Sequence, residues 1–195
     1  MEKDNINTLE YWNQTYSKEF YQDNSVADWD LFHTFIEEVL PKQPCRILEI
    51  ACGLAHNAKF AAGLGHNVIA TDFSHLIINE SMKRFSDPLI RYYYMELETA
   101  LESFKGFDVI MGFEIIEHFR NPLIPLLKIR KSLKEGGMFV FSVPEESGNF
   151  GIWCQHYSLW TYQKTLERLF KVGFKKVLFY NGITSNQNIM GVAYK

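Results

Sequence analysis

The run Arg46-Ile47-Leu48-Glu49-Ile50-Ala51-Cys52-Gly53-Leu54-Ala55-His56-Asn57-Ala58 decides the fold. Arg46 to Ile50 is a short apolar run of strand length holding one acid, Glu49. It breaks into small residues before an apolar-periodic segment, Ala58 to Leu64, resumes. The spacing predicts a strand, a tight turn and a helix. Small residues at such a turn let a ligand approach the backbone, and the amides that open the following helix have no partners of their own. An acid at the strand end repels a pyrophosphate but pairs with a cationic or hydroxyl-bearing ligand. The turn therefore suits a nucleoside better than a phosphate chain.

Working outward, the downstream chain repeats this unit. The first helix ends at Gly63-Leu64-Gly65, a second strand runs from Asn67 to Thr71, and Ser74 is a suitable N-cap for a helix from His75 to Phe85. A third strand, Ile90 to Met95, is followed by Glu96-Leu97 and a short helical segment. A fourth, Phe107 to Gly112, ends at Phe113-Glu114, and a helix from Pro122 to Leu133 stops at Lys134-Glu135-Gly136-Gly137. The fifth strand is Met138 to Val143. Short apolar strands alternating with helices predict a parallel sheet covered on both faces, a Rossmann-like doubly wound α/β/α sandwich. Its ligands are expected at the carboxyl ends of the strands.

A further helix, Ser158 to Phe170, precedes strands at Phe174 to Tyr180 and Asn188 to Lys195, joined by the Gly/Ser/Asn-rich loop Asn181 to Gln187; the last strand is expected to return antiparallel. Upstream, residues 6 to 40 carry two aromatic-rich helical stripes. Leu9, Trp12, Tyr16 and Phe20 form one, Leu31 to Leu40 the other, and Pro41 and Pro44 stop the second. No repeat or linker divides the chain. It reads as one domain over 1–195, with N-terminal helices (1–44) available as a lid and a Rossmann-like core over 45–195.

Composition agrees with that size. The 195 residues are 47% hydrophobic and 22% charged, as in an ordinary globular protein. A net charge of −3 argues against a large nucleic-acid footprint. Three cysteines, odd in number and without a Cys-x-x-Cys pair, read as reduced thiols. With no signal-like N-terminus and no apolar run of membrane-spanning length, the expectation is a cytoplasmic protein with no membrane partner. The oligomeric state stays open.

The order Ile47 to Gly53, Val68 to Ser74, Phe107 to Ile110 with Glu114-Ile115-Ile116-Glu117-His118, then Leu133 to Gly137, resembles the class I S-adenosylmethionine-dependent methyltransferases from about Tyr11 to the C-terminus. The resemblance implies S-adenosylmethionine as cofactor. It places Glu49 near the methionine amino group, the turn at Ala51 and Gly53 against the cofactor, Asp72 with Phe73 at the ribose, Glu96-Leu97 at the adenine, and Phe113 beside the transferred methyl. Tyr11 and Tyr16, with Trp12, are expected over the cofactor as a lid. The family usually has glycines where this chain has Ala51 and Ala55, and a β-carbon there narrows the ligand's approach. A dinucleotide fingerprint would need Gly-x-Gly-x-x-Gly, which this turn does not supply.

Methyl transfer is an in-line displacement helped by positioning and by removal of a proton from the acceptor. The catalytic candidates are Glu114, His118 and His156, with His118 favoured as general base because histidine titrates near neutral pH. Glu114, Glu117 and His118 stand at i, i+3 and i+4, so one helical turn would put them on one face; with His156 they form a set that suits a divalent ion. That Glu-x-x-Glu-His pattern is similar to the metal-dependent O-methyltransferases of ubiquinone biosynthesis and to the small-RNA 2′-O-methyltransferases. The aromatic segment Phe150, Trp153, Tyr157 and Trp160 suggests a small organic acceptor, methylated on oxygen. A non-catalytic cofactor-binding domain and an RNA 2′-O-methyltransferase are the alternatives.

Overall fold

The computed structural model describes residues 8–16, 29–145, 156–158, 160–180 and 188–195. Two helices, α1 (Leu9–Tyr16) and α2 (Trp29–Val39), come before β1 (Arg46–Ile50). Then follow α3 (His56–Gly63), β2 (Asn67–Asp72), α4 (His75–Arg84), β3 (Ile90–Tyr94), α5 (Leu97–Ser103) and β4 (Phe107–Phe113). A 3₁₀ turn, Ile116–His118, leads to α6 (Leu123–Ser132), β5 (Leu133–Pro144), α7 (Tyr162–Lys171), β6 (Lys176–Tyr180) and β7 (Asn188–Tyr194).

The strands form one seven-stranded sheet in the order β3-β2-β1-β4-β5-β7-β6. All neighbours pair in parallel except β7, which runs antiparallel to both β5 and β6. This is the Rossmann-like doubly wound α/β/α sandwich with an antiparallel last strand. The two-residue period of the strands divides the core. Ile47, Val68, Ala70, Val109, Met111 and Val140 face one layer with Ala58, Ala61 and Ala62 of α3 and Phe35 and Ile36 of α2. Leu48, Ile50, Ile110, Phe139 and Phe141 face the other, against Leu101, Leu126, Ile129 and Leu169. Because the sheet is covered on both sides, its inner strands are apolar throughout. The order in which strands are added to the sheet reverses between the parallel neighbours β1 and β4, which opens a crevice at their carboxyl ends.

Two predicted elements shift. The helix expected to reach Leu133 ends at Ser132, and β5 starts at Leu133, opposite Phe107, with a register break before Val109 pairs with Met138. Gly137 sits inside that irregularity with Lys134, Asp108 and Phe107 carbonyl oxygens all about its missing Cβ, so the backbones approach more closely than a side chain permits. The helix expected from Ser158 begins instead at Tyr162, because Thr161 accepts the Lys164 N–H and caps it. Trp160 is withdrawn into the core, where its indole N–H donates to the Ser158 hydroxyl at 3.1 Å.

Candidate active site

The cofactor half of the crevice is built on the ends of β1 and β2. The Asp72 carboxylate ends β2 buried, accepting Gly53 N–H at 3.0 Å through Oδ2 and Ser74 N–H at 2.9 Å through Oδ1. Burial raises its pKa to about 6, although the N–H groups of Ser74, Gly53 and Phe73 oppose the shift. Glu49, on the face shared with Ile47, is fully enclosed and burial lifts it to about 8; the Asn57 side chain and the Ala58 amide hold it down in part. Its Oε2 is buried without a hydrogen-bond partner. A buried carboxyl oxygen without a partner beside the turn fits an ammonium group.

The turn itself is unusual. Ala51, Gly53 and Ala55 all have left-handed backbones, with φ of 50°, 51° and 59°. Only glycine occupies that region without cost, so the two alanines carry strain of about 1 to 2 kcal/mol each. A Cβ built on Gly53 meets nothing within 4 Å. The space over the turn is therefore open, and the residues present fit a nucleoside with an amino-acid tail.

Glu96 lies exposed beyond β3 as the residue before α5, while Leu97 is buried at its start. Phe73 is half-buried next to Asp72, and Phe113 ends β4 with its ring edge-on to Phe32 of α2 at 5.4 Å. Tyr11 packs edge-on to Trp12, and Tyr16 ends α1.

The acceptor half differs from the expected single helical turn. Only Ile116–His118 is helical, as a 3₁₀ turn, and Glu114 precedes it with a left-handed φ of 50°. That backbone turns the Glu114 carboxylate toward β5, where Oε1 accepts the Ser142 hydroxyl at 2.6 Å. Glu117 is completely buried, and Nε2 of both His118 and His156 stand 3.9 Å from its Oε1. Neither Glu117 oxygen has a hydrogen-bond partner. The backbone fixes this trio, since the Glu117 carbonyl accepts the N–H groups of Tyr157 and Ser158 at 2.9 and 3.1 Å. Burial pushes Glu117 well above the ordinary carboxylate range, with Glu114 adding to it, and burial lowers His156. Among the described residues, Glu117, His118 and His156 bring one ligand atom each within 4.8 Å of one another; Glu114 lies outside that cluster. A buried orphan carboxylate between two imidazoles fits a divalent ion.

Phe150, Trp153 and the loop 181–187, expected to line the acceptor pocket, lie outside the described residues. Sequence reasoning missed Ser142, Asn57 and Asn13. Ser142 reaches the site from β5, where no local motif marks it, whereas Asn57 lies inside the Arg46–Ala58 run, in the first turn of α3, and its residue type alone gives it no role.

A crevice with one buried acid in β1 and another at the end of β2 fits the Rossmann-like methyltransferase class. A family model described as a methyltransferase domain matches residues 20–173, and the chain belongs to that family, as a class I enzyme dependent on S-adenosylmethionine. It is 29% identical over 136 residues to a ubiquinone biosynthesis O-methyltransferase of Cereibacter sphaeroides, covering 69% of this chain and 50% of the relative. With the mitochondrial ubiquinone biosynthesis O-methyltransferase of Schizosaccharomyces pombe it shares 29% over 134 residues, 59% of this chain and 49% of the relative. The chain thus spans about half the length of these curated relatives. Its fold matches a SAM-dependent methyltransferase from Archaeoglobus fulgidus with a TM-score of 0.73 at 16% identity, covering 90% of this chain and 98% of the other. It also matches Haemonchus contortus phosphoethanolamine N-methyltransferase 2 bound to phosphomonomethylethanolamine and S-adenosylhomocysteine, with a TM-score of 0.75 at 16% identity over 98% of this chain and 59% of the other. Among the described residues no helix is long and apolar enough to cross a membrane.

Proposed function

We propose that this methyltransferase acts on a hydroxyl of a small organic acceptor, with a divalent ion held by Glu117, His118 and His156. The observation that carries the reading is the fully buried Glu117, both of whose oxygens lack hydrogen-bond partners while two imidazole nitrogens stand 3.9 Å from its Oε1. Burial favours the protonated form of this carboxyl, and a cation beside it is what would let it ionise and give its free oxygens a partner. The O-methyltransferase relatives support oxygen as the atom methylated.

In this reading Glu49 takes the ammonium of S-adenosylmethionine, Asp72 accepts from the ribose hydroxyls, and Glu96 with Leu97 borders the adenine. Phe113 flanks the sulfonium methyl. An ion at the trio would supply Lewis acidity that makes the acceptor hydroxyl easier to ionise. The aromatic rings of Trp12, Phe32 and Phe113 wall the acceptor side and keep water from the transferred methyl. Glu114, held by Ser142, stands beside the trio as a second carboxylate. Positioning of hydroxyl and methyl in line supplies much of the remaining rate.

The experiment is elemental analysis of the purified chain with titration of Zn²⁺ and Mn²⁺ by calorimetry, on the unmutated protein and on Glu117→Gln. Stoichiometric binding lost in the variant supports the ion. If no metal binds and chelation leaves methyl transfer to hydroxylated aromatic acceptors unchanged, the ion is excluded and His118 acts as general base on its own.

A further inference from the structure

Helix α1 touches both halves of the site with two successive side chains. Asn13 Oδ1 accepts the Ser74 hydroxyl at 2.6 Å. That hydroxyl also accepts the Ile77 N–H and caps α4, while Ser74 N–H donates to Asp72 Oδ1. Ser74 is wholly buried. One residue thus connects α1 to the acid that reads the ribose. On the other side, the Trp12 indole stands edge-on to the His118 imidazole, with centroids 5.2 Å apart and planes at 86°.

An eight-residue helix is not stable by its own hydrogen bonds, so where α1 sits depends on such tertiary contacts. A ribose bound at Asp72 stabilises the arrangement its site requires, which includes the end of β2 and the Ser74 backbone that donates to the same carboxylate, so local opening there becomes rarer. A fixed Ser74 hydroxyl gives Asn13 a fixed donor. A fixed Asn13 places the adjacent Trp12.

We propose that Asn13 is a positioning residue that couples cofactor binding to the acceptor side: it ties α1 to Ser74 and thereby seats Trp12 against His118. The inference rests on the placement of the acceptor at His118 proposed above.

The test uses the whole chain and S-adenosylhomocysteine as the probe. Hydrogen exchange of the α1 amides should slow by about tenfold when the probe saturates the unmutated protein. In Asn13→Ala that slowing should fall below about twofold, while the dissociation constant rises by no more than about fivefold, the worth of one neutral hydrogen bond. Carbethoxylation of His118, read by mass spectrometry, reports the second link. The probe should shield His118 in the unmutated protein and in Trp12→Phe, which keeps a ring at the contact, and should not shield it in Trp12→Ala or Asn13→Ala. Undiminished slowing of α1 in Asn13→Ala overturns the proposal, as does full shielding of His118 in Trp12→Ala. Failure of the acceptor placement looks different: α1 would still respond through Asn13, but His118→Ala would leave methyl transfer intact.

Discussion

Asp72 and Gly53 are joined by a hydrogen bond of 3.0 Å from the Gly53 N–H to the Asp72 carboxylate, which ties the end of β2 to the turn after β1. The acid proposed to accept from the ribose therefore also shapes the turn after β1. Asp72→Ala is expected to weaken S-adenosylhomocysteine binding by about 1 to 3 kcal/mol, since a hydrogen bond to a charged group is lost. Asp72→Asn keeps one acceptor oxygen, but its amide nitrogen cannot accept the second N–H. It should fall between the two in calorimetric titration. Equal affinity in all three proteins would remove Asp72 from the site.

With Glu49 as the proposed seat of the ammonium, cofactor binding is expected to depend on pH. With a pKa of about 8 in the free protein, its carboxyl is mostly protonated at pH 7. An ammonium beside it favours the ionised form, so binding should release about one proton at pH 7. Calorimetry of S-adenosylhomocysteine in buffers of different ionisation enthalpy measures this directly. Glu49→Gln should bind more weakly and release none; an unmutated protein whose binding heat is the same in all buffers would contradict the assignment.

The order of strands and helices is legible in the sequence because each inner strand is buried on both faces and must be apolar, while glycine, proline and capping residues mark the breaks. Glu49, Asp72 and the Glu117-His118 pair stand out as polar residues in or after apolar runs, while the roles expected of Glu49 and Asp72 come from the family resemblance. What escapes is tertiary. Glu114 leaves the expected helical face because its own backbone is left-handed and Ser142, from the next strand, captures its carboxylate. Trp160 breaks the expected helix because core burial outweighs one more helical turn. The link from Ser74 to Asn13 crosses 61 positions of chain, and no spacing rule reaches that far.

Ala51 offers a gain of stability. Its φ of 50° costs a residue with a Cβ about 1 to 2 kcal/mol, and glycine there removes the strain while adding about 0.4 to 1 kcal/mol of unfolded-state entropy. Ala51→Gly should stabilise the free protein by about 0.5 kcal/mol, a rise of about 1 to 2 °C in thermal midpoint. It should also tighten S-adenosylhomocysteine binding, because the turn loses the atom that narrows the ligand's approach. A variant with a lower midpoint and weaker binding would show that the Cβ packs favourably.

His33 and His56 make the contact between α2 and α3 sensitive to acid. His33 stacks on Phe60 with centroids 4.2 Å apart, Trp29 lies 4.4 Å from His56, and His56 meets Phe85 edge-on. Burial lowers both histidines below 6.5; Asp30 opposes this at His33, while Arg84 and His33 itself reinforce it at His56. The buried His33 Nε2 has no partner to receive a proton's charge. Both rings thus take up a proton less readily in the folded protein, and the unfolded chain binds more protons between 6.5 and the lowered values. Their contribution to stability is in place above pH 6.5 and is lost as the pH falls through that window. The carboxyls of Glu49 and Asp72 titrate with the opposite sign, since their folded-state values are raised, and they lose stability as the pH rises. The informative quantity is therefore the difference between the unmutated protein and His33→Phe in thermal melts from pH 7.5 to 5. His33→Phe keeps the ring stack and cannot be protonated, so its midpoint should fall less on acidification. Parallel pH profiles for the two proteins would show that His33 contributes nothing to the acid response.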